Sequence, residues 1–219
     1  MAPIKIAVIN QSTVVGDGEV SNVTAHIQTQ VSQHFAPVWG IDAQLVFCPT
    51  KIVPAGYWAV YIMDTSDQPG ALGYHTVTFP AAVPFANIFV KTTSQYKLSW
   101  SVTMSHEVLE MLADPTTNRC VFRQTTATAG DLLAYEVGDP VEADTVGYAI
   151  GSVRVSNFIT PNWFLDNSQG PWDYKGLLKG PFTMLSGGYE SLAHITASSG
   201  WIQATARTAV FTVEDTQKK

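Results

Sequence analysis

The chain has 219 residues, 46% of them hydrophobic, enough to bury the core of one globular domain. Twelve basic against 18 acidic residues give a net charge of −6, which leaves no basic surface for phosphate backbones and excludes nucleic acid and anionic membranes as expected partners. Met1 to Asn10 lacks the charged region and long apolar run of a secretion signal, and no stretch approaches the ~18 apolar residues of a membrane span. A soluble protein, cytoplasmic or virion-associated, is the expectation.

In chain order, Ile4 to Ile9 reads as a buried strand and Gly16-Asp-Gly18 as a turn. Val20, Val23, Ile27, Val31 and Phe35 recur at helical spacing and predict a helix from Glu19 to Phe35, capped by Asp17 or Ser21, with His26 and His34 on its polar sides as surface histidines. Strands are predicted at Gln44–Cys48, Tyr57–Met63, Leu72–Thr78 and Asn87–Lys91, and a second helix from Ser99 to Ala113. Beyond it come strands at Cys120–Gln124, Leu132–Val137, Tyr148–Val155 and Ala204–Val213. Trp163 to Pro181, rich in Gly, Pro, Asn, Asp and aromatics, reads as an ordered surface loop with apolar tips, and Glu214 to Lys219 as a frayed tail. Cys48 and Cys120 lack CxxC spacing and read as two buried free thiols. His194, between Ala193 and Ile195, joins no visible constellation. Charged residues make up only 14% of the chain, which suits a β-rich surface partly covered by neighbouring subunits.

The chemistry concentrates in Ser105-His-Glu-Val-Leu-Glu-Met-Leu-Ala-Asp114-Pro115. At about 100° of turn per residue, with His106 at zero, Glu110 falls near ~40°, Thr103 near ~60°, Asp114 near ~80° and Glu107 near ~100°. Val102, Val108, Leu109, Met111 and Leu112 lie outside that arc. Such a stripe either faces water or holds a ligand. A solvated stripe usually includes Lys or Arg for i, i+4 pairing, and there is none between Lys97 and Arg119. Acids facing one another without cations need protons or a metal. Asp114 is open to two readings, ligand or helix end, because the residue before Pro115 is pushed out of helical geometry.

Eight of the 18 acids lie between residues 107 and 144, opposed there only by Arg119 and Arg123. Glu136, Asp139 and Glu142 sit in or just after a predicted strand, and Gly138 with Asp139-Pro140 implies a turn able to fold its carboxylates back toward the helix.

The motif His106-Glu107-x-x-Glu110 resembles the zincin metallopeptidase helix with its second histidine replaced by glutamate. The wider pattern, Ser-His-Glu-x-x-Glu-x-x-x-Asp-Pro followed by Glu136-x-x-Asp139, resembles uncharacterised bacterial and phage proteins and the plant exordium-like proteins. For the bacterial and phage group the similarity extends through Ile6 to Thr13 and Ala71 to His75; for the zincins it covers the helix alone.

The resemblance implies a single zincin-like α+β domain over 1–219: a twisted mixed sheet with a backing helix and an active-site helix in 1–115, and a strand- and loop-rich half, 116–219, that completes the site. It also implies His106 and Glu110 as metal ligands, a third ligand from Glu136 or Asp139, with Glu136 preferred, and Glu107 as general base in peptide or amide hydrolysis. His75 is expected near the cleft, stabilising an oxyanion, supplying a ligand or serving the structure. Zinc is the expected metal of a catalytic site. Glu110 adds negative ligand charge where the zincins have a neutral histidine, which weakens Lewis acidity and shifts preference toward Ca²⁺ or Mn²⁺. Two functions are therefore expected in parallel: a metal-dependent hydrolase acting on a peptide or protein, or a non-catalytic structural protein, such as a virion or assembly component contacting neighbouring subunits.

Overall fold

Ile4–Asn10 forms the first strand, β1, and its Ile6, Ala7, Val8 and Ile9 are fully buried. A continuous apolar run of this kind marks a strand covered on both faces, as parallel sheets require. A computed structural model describes residues 3–127, 129–195, 202–207 and 210–214, the last two stretches as strand backbone. The chain is an α+β protein that divides into two units. The first comprises Met1–Thr117 with Gly147–Ser156, the second Asn118–Val146 with Asn157–Lys219. The division expected after residue 115 lies two residues before the first break, but the segment Gly147–Ser156 belongs to the first unit.

In the first unit, β1 is followed by helix α1 (Asp17–Thr29), which runs into a wider π-helical stretch, Gln30–Phe35, and a last turn, α2 (Ala36–Trp39), closed by Gly40 in the left-handed conformation. The predicted helical face is buried throughout, at Val20, Val23, Ile27, Val31 and Phe35. The predicted cap is not there: Gly16 occupies the cap position, and Asp17 instead accepts from Asn10 Nδ2 at 2.8 Å. Strands β2 (Ala43–Phe47), β3 (Trp58–Met63), β4 (Gly73–Val77) and β5 (Pro84–Phe89) complete a mixed sheet of order β2-β1-β3-β5-β4. Its first four strands are parallel, and β4 runs antiparallel at the edge.

The strand expected at Asn87–Lys91 begins earlier and ends at Phe89, because Phe85 to Phe89 pair with Ala59 to Met63 and α3 (Val90–Gln95) starts at once. At the end of β3, Asp64 accepts from Ser12 Oγ at 2.5 Å, Thr13 Oγ1 at 2.6 Å and the Thr13 N–H at 2.9 Å. These bonds to the charged form hold its carboxyl down to about 2.

Helix α4 (Trp100–Ala113) follows, and from Ser101 to Ala113 every residue but Thr103 is buried. The expected strand Tyr148–Val155 is a hairpin of two short strands, Tyr148–Ile150 and Val153–Val155. It satisfies polar groups of the first unit. Ser101 Oγ donates to the Arg154 carbonyl at 2.7 Å, Ser105 Oγ accepts the Ser156 N–H at 2.6 Å, and Gln30 Nε2 donates to the Ser156 carbonyl at 2.7 Å. His34, expected at the surface, is half-buried with Nδ1 2.9 Å from the Tyr148 hydroxyl, and burial lowers its pKa.

The second unit carries an antiparallel sheet in the order Val210–Glu214, Ile202–Arg207, Tyr189–His194, Gly130–Ala134, Cys120–Gln124. The strand expected at Leu132–Val137 lies two residues earlier at its start and stops at Ala134, before the Glu136 segment turns into a 3₁₀ turn at Asp139–Val141. The expected strand Ala204–Val213 is two strands. Trp163 to Pro181 is an ordered loop, as expected, but pinned from within: Trp163 and Asp173 are buried, and the Asp173 carboxylate accepts from Asn157 Nδ2 and the Leu178 N–H, each at 2.7 Å. Cys48 is a buried free thiol as expected; Cys120 is exposed, since its edge strand is open on that face. Residues 215–219 of the expected tail lie outside the described residues.

Candidate metal centre

Helix α4 leaves its axis where the sequence requires. Asp114 has φ −130° and ψ 76°, out of helical space before Pro115, while its N–H still closes the last turn on the Glu110 carbonyl at 2.7 Å. The polar stripe does not face water. His106 is 7% exposed, Glu107 6%, Glu110 3% and Asp114 1%. Of the two readings left open by the sequence, the solvated stripe is thereby excluded. Burial of ionisable groups at this density demands partners, protons or a cation.

Rotation about α4 divides its polar groups among different neighbours. Ser101 and Ser105 point toward the hairpin, as described above. Thr103 and Glu107 point toward edge strand β4, where Gly73 makes the close approach: a Cβ there would meet Thr103 Cγ2 at 2.8 Å and Glu107 Cγ at 3.1 Å. A glycine inside a strand signals such an approach.

Two residues along β4 stands His75, in register with Ala86 of β5. Its side chain is 5% exposed, with Nδ1 3.4 Å from Glu107 Oε2 and 3.9 Å from Glu110 Oε2. Tyr74, on the alternate face, fastens the strand: its hydroxyl accepts from Asn87 Nδ2 at 2.7 Å and donates to Asp67 at 2.9 Å. Burial, then the bond to Asp67, raise the Tyr74 pKa. The i, i+4 pair closes the cluster, with His106 Nε2 3.1 Å from Glu110 Oε2.

The first unit thus gathers His75, His106, Glu107 and Glu110 from one strand and one helix. Each imidazole nitrogen either donates a proton to its carboxylate or offers its lone pair to a cation, and the same N to O spacing serves both. His75 with Glu110, and His106 with Glu110, belong to groups of ligand atoms close enough to hold a metal ion. Ligand atoms about 2.0–2.2 Å from a shared cation stand roughly 2.8–3.6 Å apart for angles between about 90° and 109°, and the 3.1 Å pair falls within that span.

Glu136 and Asp139, the sequence's candidates for a further ligand, belong to the second unit. Glu136 follows its strand Gly130–Ala134, and Asp139 opens the 3₁₀ turn with its side chain buried. Ser105 headed the motif read from sequence but was given no role there; Gly73 and Gln30 were not singled out, although a lone glycine two residues before a histidine in a strand was a usable signal.

A second cluster lies in the other unit. Arg123, Asp131 and His194 stand side by side on three paired strands, with Arg123 Nη2 2.8 Å and His194 Nδ1 2.5 Å from the Asp131 carboxylate. Burial pushes the Asp131 pKa up, but the hydrogen bonds and charges of Arg123 and His194 outweigh it and leave it lowered. His194 therefore does join a constellation, one formed by strand pairing between residues 63 positions apart.

No family model matches the chain, and neither the curated proteins nor the solved structures give a match.

Proposed function

We propose that this protein is a metal-dependent hydrolase of zincin type that cleaves peptide or amide bonds. The observation that carries the reading is the burial of His106, Glu107 and Glu110 on one helix, against His75, with no lysine or arginine between Lys97 and Arg119. His106 and Glu110 would hold the ion. The sequence pattern alone nominates Glu136 or Asp139 to complete its ligands. Zn²⁺ suits catalysis, whereas the carboxylate-rich set also suits Mn²⁺ or Ca²⁺.

When bound, a divalent ion supplies Lewis acidity, polarising the substrate carbonyl and easing ionisation of water. Glu107 accepts the proton of the attacking water and passes it to the leaving amine. His75, 3.4 Å from Glu107, steadies that carboxylate. The buried walls of α4 keep bulk water from competing for the same groups.

Elemental analysis of protein purified without chelators tests the metal. Near-stoichiometric Zn, Mn or Ca is expected in the wild type, with loss in His106→Ala; metal-free protein in both would sink the reading. Cleavage of a broad peptide library tests catalysis. Glu107→Gln is expected to retain bound metal while losing at least 10²-fold in rate, the usual scale for removing a general base.

One observation favours a second reading, a non-catalytic structural protein on the same scaffold. Between β4 and β5, Phe79 is 98% exposed beside Pro80, Ala81 and Ala82, an apolar tip suited to a neighbouring subunit. Concentration-dependent association in sedimentation, lost in Phe79→Ser, together with no cleavage of the library, would favour it.

A further inference from the structure

The carboxylate of Glu110 is approached by two imidazoles from two different elements. Oε2 lies 3.1 Å from His106 Nε2, one turn away on α4, and 3.9 Å from His75 Nδ1 on β4. Glu110 also belongs with His75 to one group of metal-type ligand atoms and with His106 to another. A single zincin-like ion would use only the His106 side and leave His75 as an accessory. The geometry argues otherwise: among the described residues, no group of ligand atoms contains both histidines, and Glu110 is common to the two groups. His75 Nδ1 also faces a second carboxylate, Glu107 Oε2, at 3.4 Å.

We infer that the site takes two divalent cations bridged by Glu110, one held on the His106 side and one on the His75 side. The inference rests on the metal reading above and extends it from one ion to a pair. On the His75 side the cation takes the place of the hydrogen bond between Nδ1 and Glu107 Oε2, 3.4 Å apart. Glu107 keeps its other oxygen for proton transfer. Paired ions clamp both the attacking and the leaving group of a hydrolysis, so a second ion offsets the Lewis acidity that the Glu110 carboxylate removes from the first.

Full-length protein stripped of metal and titrated with Zn²⁺ by calorimetry, with bound zinc counted by elemental analysis, tests this. Two ions per chain are expected in the wild type and one in either His75→Asn or His106→Asn. In Glu110→Gln both sites should weaken at least tenfold. Mn²⁺-loaded wild type should give the spectrum of a spin-coupled pair by electron paramagnetic resonance, a readout that needs no variant to fold.

A saturating stoichiometry of one, with the ion lost equally in both histidine variants, would show a single shared ion and overturn the pair. One ion unaffected by His75→Asn would also overturn it while leaving the mononuclear metal reading intact. No bound zinc at all would remove both.

Discussion

Glu190 shows how far a single side chain can depart from its ordinary behaviour here. Its residue is 8% exposed, its Oε2 is buried with no hydrogen-bond partner among the described residues, and its pKa is raised to about 7. Desolvation is the main cause; the Arg123 charge lowers the pKa and Asp131 raises it again. Between the unfolded value of 4.5 and about 7, the folded state holds a proton that the unfolded state has released. Stability therefore falls as pH rises through that window. The expected loss is at most about 3 kcal/mol, from 1.36 kcal/mol per pKa unit. Glu190→Gln is expected to flatten the fall in melting temperature between pH 5 and about pH 7.5. An equally steep fall in that variant would assign the effect to other groups. The Asp131–His194 pair teaches a related point, because neither residue is distinctive until strand pairing aligns them with Arg123.

At the scale of elements, helix α4 behaves as a core helix that carries polar groups, several of which meet groups on other elements. Ser105 is the clearest case. Its side chain is fully buried, donates to the Val102 carbonyl at 3.0 Å and accepts the Ser156 N–H at 2.6 Å. Ser105→Val should leave that buried N–H unsatisfied and cost about 1–3 kcal/mol, read as a lower urea midpoint at unchanged m-value. On the opposite side, Gly73 sets the distance between β4 and α4. Gly73→Ala forces its Cβ against Thr103 and Glu107, at an expected cost of about 1–3 kcal/mol. Because His75 rides on the same strand, that variant should also lose metal affinity. Unchanged affinity would separate the strand from the site.

At the scale of the molecule, the first unit is discontinuous in sequence. Gly147–Ser156 returns to it and supplies partners for Gln30, Ser101 and Ser105. A chain ending at Thr117 would contain the whole β2-β1-β3-β5-β4 sheet and α4, yet would lose those hydrogen bonds and the cover of buried Val153 and Val155. Each bond contributes about 0.5–1.5 kcal/mol and each buried valine about 1.5–3 kcal/mol, together a large share of a domain's ordinary stability of about 5–15 kcal/mol. The fragment is expected to lose cooperative thermal unfolding that the full chain keeps. A sharp transition near that of the full chain would show that the hairpin is dispensable. Among the described residues, no helix is long and apolar enough to cross a membrane.

Local patterns in the sequence determined β1, the apolar face of α1 and its π-helical continuation, the helix end at Asp114 before Pro115, and the angular grouping of His106, Glu107 and Glu110. These follow from periodicity and backbone sterics, which act over a few residues and are written in adjacent positions. Asp17 turned from its expected cap position to Asn10 and Tyr148–Val155 folded back on itself about Gly151, both through local contacts, whereas the shift of β5 to Pro84–Phe89 depended on its pairing with β3, farther back in the chain. The meeting of His75 with Glu107 and Glu110 likewise joins residues 32 and 35 positions apart. Only the tertiary structure could decide whether the polar stripe of α4 met water or was buried. Amphipathic spacing shows that two faces of a helix differ, whereas what covers each face is set by elements that fold onto it from elsewhere.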